Sequence, residues 1–569
     1  MTTGVAEVKV VEREATSLKL GAAASSRIGS EASEQSAVEI CLGEVVAVTG
    51  SKVAAFVIGG AKGKGASVTQ ALQIGALVKM ATPRTIVYGI ISGLSVPNPD
   101  SGSTDNEIKL MELELVGEGV VDVASKPPKF RRGISTFPTL GDAVFSASAE
   151  DLRMVFTRPA LSTVRIGSIH QDRSLAASIG VDDLLGKHFA ILGATGSGKS
   201  CATALILRNI LARHPNAHVL LLDPHNEYAH AFGDMAEVIN AETLQLPYWL
   251  FNFQELLEVL STAGVNVGTP ESAILNELIP AAKRHFLGQA GTTRHITADT
   301  PVPYRLTQVI QYIDETMGRL EKPDTLQPYL RLKSAITSLL SDARFAFMYG
   351  NTVTMRDNMG AIVSRLFRLP VDGKPITILD LSAVPTEILN VVVSVICRIT
   401  FDFALWSEGA VPMLLVCEEA HRYAPEDARL GFEPTKRALS RIAKEGRKYG
   451  LSLCVVSQRP SELAAGMLSQ CSTILALRLS HQKDHDFVRG SMSESAFGLL
   501  DALPSLGNAE AIAVGEGVPI PMRLAFDDLP MECRPKSGCA AFSASWQKDH
   551  DDARGFVDGV IERWRHERR

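Results

Sequence analysis

The 569-residue sequence contains no C-x-x-C pair among its eight cysteines. Cys533 and Cys539 lie close together, but no His or Cys stands at zinc-finger spacing from them, so a zinc site is not expected. No disulfide framework is visible either. Both absences favour a reducing compartment, and we expect a cytoplasmic protein.

The sequence also lacks an uninterrupted apolar run long enough to cross a membrane. The longest candidate, Ile388–Trp406, is broken by Asn390, Arg398 and Asp402, which favours a buried helix over a membrane span. The N-terminal segment carries acidic residues and no apolar h-region, so no signal peptide is expected. We therefore predict no membrane association.

Basic charge is not in excess. The chain has 57 Lys and Arg residues against 63 Asp and Glu residues, a formal net charge of −6. This balance disfavours a protein that coats nucleic acid over its whole surface. It leaves open a ring whose positive charge is concentrated in a central pore.

Hydrophobic patterning divides the chain into successive segments. Residues 1–35 hold few large apolar residues and predict a flexible tail. Residues 36–155 carry short apolar runs separated by Gly, Pro and Asp, such as TIVYGIISG and the alternating MELEL. Several short strands at close spacing predict a small β-barrel.

Beyond residue 155, buried strand-like runs alternate with helical patterns. This alternation is typical of an α/β fold with a parallel sheet covered on both faces. The runs fall in two parts, 156–242 and 368–535, which together predict one core. Helical patterns dominate in between, so 243–367 is predicted to be an inserted helical bundle. Residues 536–569 end in a charged, helix-like extension.

One segment carries a phosphate-binding motif. The run GATGSGKS matches G-x-x-x-x-G-K-[ST] and lies between the strand-like FAIL and an apolar-rich helix, which is the context such a loop needs. Its glycines let backbone N–H groups surround phosphate oxygens at a helix N-terminus. The predicted nucleotide-binding residues are Gly193, Ala194, Thr195, Gly196, Ser197, Gly198, Lys199 and Ser200.

The predicted cofactors are ATP and Mg²⁺. Lys199 would reach the β- and γ-phosphates, and the Ser200 hydroxyl would ligate the metal. After the buried run MLLVC, Glu418 would hold the metal shell through water, and Glu419 would orient and polarise the attacking water. The alternatives are a chance glycine-rich turn and two surface acids at a strand end.

Two later features complete the predicted site. LSLCVVSQ ends in polar residues, so Gln458 is predicted to sense the γ-phosphate, with an ordinary strand-to-turn transition as the alternative. The run TKRALSRIAKEGRKYG places basic residues from Arg437 to Lys448 on one helix face. Ring ATPases offer an arginine to a neighbour's γ-phosphate. Arg447 is our first choice and Arg441 the second, against a merely solvated basic face.

Together these motifs resemble the HerA family of hexameric DNA translocases. RRGISTFPTLGD at 131–142 and IGSIHQD at 166–172 look like that family's barrel end and linker. LLLDPHNEY at 220–228, EEAHRYAP at 418–425 and EGRKYGLSLCVVSQRPSEL at 445–463 look like its core. The joint order of the motifs is specific, and the resemblance covers most of the chain.

The resemblance implies an N-terminal HAS-type barrel and a RecA-like core of the additional-strand (ASCE) P-loop NTPase type with a helical insertion. It also implies a C-terminal brace at 536–569, a homo-hexamer, and double-stranded DNA threaded through the ring. A separate effector would dock on the barrel, in DNA end processing or anti-phage defence. That effector would be a NurA-like nuclease, or a sirtuin-like or other nuclease effector.

The chain departs from the family pattern at three positions. Glu418 stands where Asp is usual, and Asn226 stands where Gly is common. Lys187 stands before the P-loop strand where Arg is common. The resemblance makes Lys187 a nucleotide-binding residue acting across a subunit interface, where the loss of a planar guanidinium would matter.

A DNA motor must bind every sequence, so phosphate contacts are expected rather than base readout. Pore candidates are Lys436 and Arg437 at the start of the basic helix, and Lys483 and Arg489 beyond TILALRL. Each could equally be an ordinary surface residue. The rival functions are a secretion or conjugation ATPase that moves another substrate, and a binding module in which ATP only fixes ring assembly.

Overall fold

The computed structural model describes residues 39–566 with internal gaps. The gaps are 59–71, 97–108, 121–128, 159–161, 242, 245, 263–266, 289–294, 320–322, 350–355, 385, 428, 493–496, 537–541 and 548–552. The tail predicted at 1–35 therefore lies outside the described residues.

Seven strands form the N-terminal sheet. They are β1 (Cys41–Thr49), β2 (Lys52–Val57), β3 (Leu77–Ala81), β4 (Thr85–Ser95), β5 (Leu110–Val120), β6 (Lys129–Arg132) and β7 (Ala143–Ser146). Their order is β2-β1-β7-β3-β4-β5-β6, and a further pairing of β2 with β5 closes six of them into a barrel. Closure removes sheet edges, and inward residues such as Val53, Met80 and Leu113 fill the interior. The predicted barrel is confirmed.

Eleven strands form the second sheet. They are β8 (Thr163–Ile169), β9 (Ala176–Gly180), β10 (His188–Leu192), β11 (Val219–Asp223), β12 (Ala236–Ile239), β13 (Ile376–Asp380), β14 (Met413–Cys417), β15 (Leu451–Ser457), β16 (Cys471–Leu477), β17 (Glu510–Gly515) and β18 (Met522–Phe526). The order is β12-β13-β11-β14-β15-β10-β16-β17-β18-β8-β9.

The first seven strands in that order are parallel. Strand β15 lies between β14 and the P-loop strand β10, which is the additional strand of the predicted class. The α/β fold with a RecA-like parallel sheet is thus confirmed. The last four strands, β17, β18, β8 and β9, are antiparallel. That mixed edge was not predicted, because an apolar run does not reveal its direction.

Seventeen α-helices are present in the part of the chain that the structure describes. They are α1 (Ala149–Phe156), α2 (Val181–Leu185), α3 (Lys199–Arg213), α4 (Ala229–Phe232), α5 (Phe253–Thr262), α6 (Thr269–Leu287), α7 (Leu306–Met317), α8 (Pro323–Ser341), α9 (Ala346–Tyr349), α10 (Met359–Phe367), α11 (Thr386–Trp406), α12 (Glu433–Glu445), α13 (Ala465–Leu468), α14 (Gln482–Gly490), α15 (Phe497–Leu500), α16 (Phe542–Ser545) and α17 (Ala553–His566).

Helices α5 to α10 lie in the chain between β12 and β13, which are adjacent and parallel in the sheet. Helix α11 follows β13 and is rich in apolar residues. By length and composition its Ile388–Trp406 part could cross a membrane, but 72% of its apolar window is buried inside the fold. Burial of this kind is typical of a core helix, which is the interpretation that the polar interruptions favour.

A buried ion pair joins helix α5 of the insertion to α11. The Glu255 side chain is 1% exposed. It accepts hydrogen bonds from Arg398 Nε at 3.1 Å and from Ser394 Oγ at 2.9 Å. A carboxylate this deeply buried needs a cation and hydrogen-bond donors to offset its lost hydration. The pair therefore fixes how the insertion sits on the core helix.

Arg398→Ala should destabilise the protein strongly, because Glu255 would remain buried without its cation. Breaking one partner of a buried pair typically costs about 3–5 kcal/mol. Urea unfolding followed by intrinsic fluorescence would measure the loss. Lys333→Ala, which breaks the exposed Lys333–Asp314 pair at 2.6 Å, is the matched control and should unfold like the wild type. Equal midpoints for Arg398→Ala and the control would contradict the structural role of the buried pair.

Candidate active site

The P-loop connects the carboxyl end of β10 to the first turn of α3. Gly193 N donates to Ser457 O at 3.2 Å and Ala194 N donates to Arg478 O at 2.9 Å, so both neighbouring strands hold the start of the loop. A side chain at Gly193 would meet Ser197 Oγ at 2.6 Å. Gly198 has a φ of 101°, a left-handed conformation that glycine adopts at least cost.

The residues of this loop fit the phosphates of ATP and a magnesium ion. Ser197 Oγ is buried and has no hydrogen-bond partner among the described residues. The Lys199 side chain begins α3 and is buried, and Ser200 follows it. Thr195 and Gly196 are exposed, so the loop opens to solvent on its ligand side. A helix N-terminus with free backbone donors, one lysine and one hydroxyl is the donor set that Mg·ATP requires.

Glu418 follows β14 and is held by a tyrosine from another loop. Tyr228 Oη donates to Glu418 Oε2 at 2.7 Å, and Tyr228 N donates to Asp223 Oδ2 at 2.9 Å at the end of β11. Burial raises the pKa of Glu418 to about 8, and the charge of Lys199 opposes that rise. Glu418 and Lys199 therefore belong to one electrostatic site, and a divalent cation there would favour the ionised carboxylate.

Glu419 has a φ of 52°, which is uncommon for a residue with a side chain and is often found at active sites. Its Oε1 accepts a hydrogen bond from Gln458 Nε2. Gln458 Oε1 accepts in turn from Thr195 Oγ1. The P-loop, the end of β15 and Glu419 are thus joined in one hydrogen-bonded chain, so the residues predicted as base and sensor lie together.

His421 is a neighbour of Glu419 that sequence reasoning missed. Its Nδ1 lies 3.3 Å from Glu419 Oε2 and 3.1 Å from Ser457 Oγ. Burial lowers the pKa of His421, which favours the neutral ring. A neutral imidazole can hold Glu419 in position without neutralising its charge.

Tyr228 and Asp223 were also missed as site residues, although both lie within the motif LLLDPHNEY. The available signal was a buried strand ending in Asp beside the P-loop strand. Asn226 in the same loop has a φ of 53°. Asn tolerates the left-handed conformation better than most residues, which explains how it stands where the family commonly has Gly.

Lys187 and Arg447 lie away from the P-loop of their own chain. Lys187 directly precedes β10 and Arg447 lies four residues before the start of β15. The two strands are parallel, so both residues lie at the amino edge of the sheet while the P-loop lies at the carboxyl edge. The five residues of β10 span roughly 16 Å at about 3.3 Å per residue. Lys187 pairs with Glu516 at that edge. Any contact of Lys187 with nucleotide would therefore have to reach a neighbouring subunit's site.

The two arginines proposed as trans-acting differ in their surroundings. The Arg441 guanidinium lies 4.1 Å from the Phe401 ring centroid and 3.8 Å from Asp402. Arg447 lies in the 3-10 turn Gly446–Tyr449, is exposed, and makes no side-chain hydrogen bond or ion pair within the described ranges. One expectation is wrong: Lys448 is not on the basic helix face, because α12 ends at Glu445.

The predicted DNA-contacting residues lie in α12 and α14, which follow β14 and β16 on the carboxyl side of the sheet, and three of the four are engaged within the chain. Lys436 Nζ donates to Asp427 O at 3.1 Å, and Arg437 Nη1 donates to Gln254 Oε1 at 2.8 Å. Arg489 pairs with Asp501 at 3.0 Å. Lys483 is exposed. Their roles remain predictions.

Glu419→Gln should bind ATP but lose about 10²–10⁴-fold in turnover, because an amide cannot polarise the attacking water. Lys199→Ala should instead weaken ATP binding itself. Fluorescent-nucleotide binding and phosphate release, measured on the same samples, would separate the two effects. Near-normal turnover by Glu419→Gln would assign the base elsewhere, with Glu418→Gln as the next variant to measure.

Comparison with known proteins shows which family this chain is similar to. Residues 164–400 match the family described as Helicase HerA, central domain. The DNA double-strand break repair helicase HerA of Pyrococcus furiosus is 25% identical over 473 residues, which are 74% of this chain and 77% of that protein. Its namesake from Saccharolobus solfataricus is 26% identical over 429 residues, 74% of this chain and 79% of that one.

Among solved structures, VirB4 of Thermoanaerobacter pseudethanolicus has a TM-score of 0.48 at 17% identity, over 67% of this chain and 100% of that chain. The family match runs from β8 into α11, and the curated relatives align over most of the chain. Both agree with the order of the motifs and with the geometry around the P-loop. The chain is therefore a P-loop ATPase that is similar to the HerA family over most of its length.

Proposed function

We propose that this chain is a homo-hexameric motor that couples ATP hydrolysis to movement along double-stranded DNA. The observation that carries the proposal is that the residues predicted to act on the nucleotide lie at opposite edges of the sheet. The P-loop, Glu418, Glu419 and Gln458 lie at the carboxyl edge of the sheet, whereas the exposed Arg447 lies at the amino edge. A site that needs both edges requires a second copy of the chain.

Hydrolysis follows from the roles that the described side chains can take. Bound ATP would supply the reacting γ-phosphate. The magnesium ion would supply positive charge that offsets the negative charge of the phosphate oxygens. Lys199 and the loop amides orient the phosphates, and Ser200 and Glu418 hold the metal shell. Glu419 orients and polarises a water molecule, while Gln458 links that carboxylate to the loop. Arg447 of a neighbouring subunit would stabilise charge in the transition state.

DNA contact is assigned to the first turns of α12 and α14, which follow β14 and β16 at the carboxyl edge. Lys483 is exposed there, and Lys436 and Arg437 begin α12 near the same edge. Because the net charge is −6, phosphate contacts have to come from such local groups. The names of the curated relatives, DNA double-strand break repair helicases, support double-stranded DNA as the substrate.

The barrel is the proposed docking surface for a separate effector in DNA end processing or anti-phage defence. Phe56 and Ile58 at the end of β2, and Leu94 and Val96 at the end of β4, are exposed apolar residues. Strand β5 pairs with the last residues of both β2 and β4, since Leu110 lies opposite Phe56 of β2 and opposite Ser95 of β4. These side chains therefore share one rim of the barrel, and exposed apolar groups of this kind favour a protein partner.

Linear double-stranded DNA should stimulate ATP hydrolysis by the purified protein, and the stimulation should not depend on sequence. Phosphate contacts release counterions, so affinity should fall with salt at a log–log slope of about −0.9 per contact. Neutralising a true contact such as Lys483→Gln should flatten the slope by about one unit. Turnover that ignores DNA but rises with a protein substrate would favour a secretion-type ATPase. Strong sequence preference with a flat salt response would indicate a site-specific binder.

Arg447→Ala should keep the ring and ATP binding but lose hydrolysis, because a trans arginine is worth about 10³–10⁵ in turnover. Arg441→Ala is the matched control, since Arg441 is stacked on its own chain. Small amounts of Arg447→Ala mixed into wild-type rings should lower activity more steeply than dilution does. Light scattering would report assembly. Loss of hydrolysis in Arg441→Ala alone would transfer the role to Arg441, and an active monomer would contradict the hexamer.

A further inference from the structure

One turn at the amino edge of the sheet presents a single exposed carboxylate. Residues 517–520, between β17 and β18, are buried, whereas Glu516 is exposed. The core holds this turn through its backbone: Glu516 N donates to Ser472 O at 3.1 Å, and Gly517 N donates to Thr473 Oγ1 at 2.9 Å. The backbone beneath Glu516 is therefore fixed, although its side chain reaches solvent.

Two arginines from outside the second sheet also hold the turn. Arg132, the last residue of β6, which pairs with barrel strand β5, donates from Nε to Pro519 O at 2.6 Å, from Nη2 to Gly515 O at 2.7 Å, and to Val518 O. Arg158, just after α1, donates from Nη2 to Val518 O at 3.0 Å. The turn consequently moves with the barrel as well as with the ATPase core.

The Glu516 side chain pairs with one cation of the amino edge and lies in the electrostatic field of a second. Lys187 Nζ donates to Glu516 Oε2. This hydrogen bond is the main cause of the lowered pKa of Glu516, and the charges of Arg132 and Arg447 add to it. The same carboxylate thus holds Lys187 and lies within the electrostatic reach of Arg447.

We propose that Glu516 is a positioning residue for the trans-acting cations Lys187 and Arg447, and that Arg132 makes its position depend on the barrel. The proposal rests on the hexamer proposed above and adds a residue and a route of regulation to it. A lysine side chain has many rotamers, and a carboxylate on a fixed turn restricts them. Glu516 never touches nucleotide on its own subunit, because it lies at the opposite edge of the sheet.

The strength of the pair suits a positioning role. The side chains of Lys187 and Glu516 are 26% and 52% exposed, and exposed pairs contribute little to stability. The triphosphate of an ATP bound to a neighbouring subunit can therefore attract Lys187 away from Glu516 without destabilising the fold. Movement of the barrel, for example when an effector docks, would shift Arg132, the turn and the direction of both cations.

The test is a cycle of variants in the full-length ring. Glu516→Gln should lower kcat roughly tenfold, because the two cations would no longer be oriented toward the transition state. It should not raise KM, because it also removes a negative charge from near the neighbour's ATP. Glu516→Asp should recover part of the loss. Asp314→Asn, which breaks a comparable exposed lysine pair, is the control and should retain kcat. In a Lys187→Ala background, which keeps Arg447 and therefore measurable turnover, the loss caused by Glu516→Gln should shrink.

The barrel link is tested in parallel with Arg132→Gln against Lys129→Gln, an exposed lysine on the same strand. Arg132→Gln should lower kcat, and its effect should shrink when Glu516→Gln is also present. A Glu516→Gln effect that keeps its full size in the Lys187→Ala background would overturn the proposal, as would a normal Glu516→Gln when Lys187→Ala is impaired. Full activity of the Lys187→Ala, Arg447→Ala variant would instead show that the trans site, and hence the proposed hexamer mechanism, is wrong.

Discussion

The polarity of the parallel sheet is the constraint on which the rest of the structure depends. Seven strands run in one direction, so their carboxyl ends meet at one edge and their amino ends at the other. Groups that follow strands, such as Glu418 and Gln458, collect beside the P-loop. Groups that precede strands, such as Lys187 and Arg447, cannot join them within one subunit. The sheet thus divides the residues proposed for catalysis into two sets, which could meet only between neighbouring subunits.

At the carboxyl edge, the two glutamates that follow β14 differ in their surroundings although they are adjacent in sequence. Glu418 turns inward toward Tyr228, and burial raises its pKa. The left-handed backbone at Glu419 turns that side chain toward Gln458 and His421. One peptide unit therefore separates the carboxylate predicted to hold the metal shell from the one predicted to orient water, and neutral hydrogen-bonding side chains keep each in its own direction.

Much of this site could be predicted from the sequence because its motifs are contiguous. The P-loop needs eight consecutive residues, and Glu419 follows a strand whose apolar run is unmistakable. Contacts made across the chain left no such signal: Tyr228 meets Glu418 from 190 positions away, and Lys187 meets Glu516 from 329 positions away. Periodicity also could not show that α12 ends before Lys448, or that β17 and β18 reverse direction, since burial gives both directions the same apolar pattern.

The antiparallel edge of the second sheet has a consequence for biosynthesis. Strand β8, near the start of the core, pairs with β18, near its end, and Ala509 N donates to Ser197 O of the P-loop at 3.1 Å. A chain still emerging from the ribosome lacks these partners until β18 has been made. An incomplete translation product would therefore lack both the pairing partner of β8 and the backbone donor to Ser197 of the P-loop.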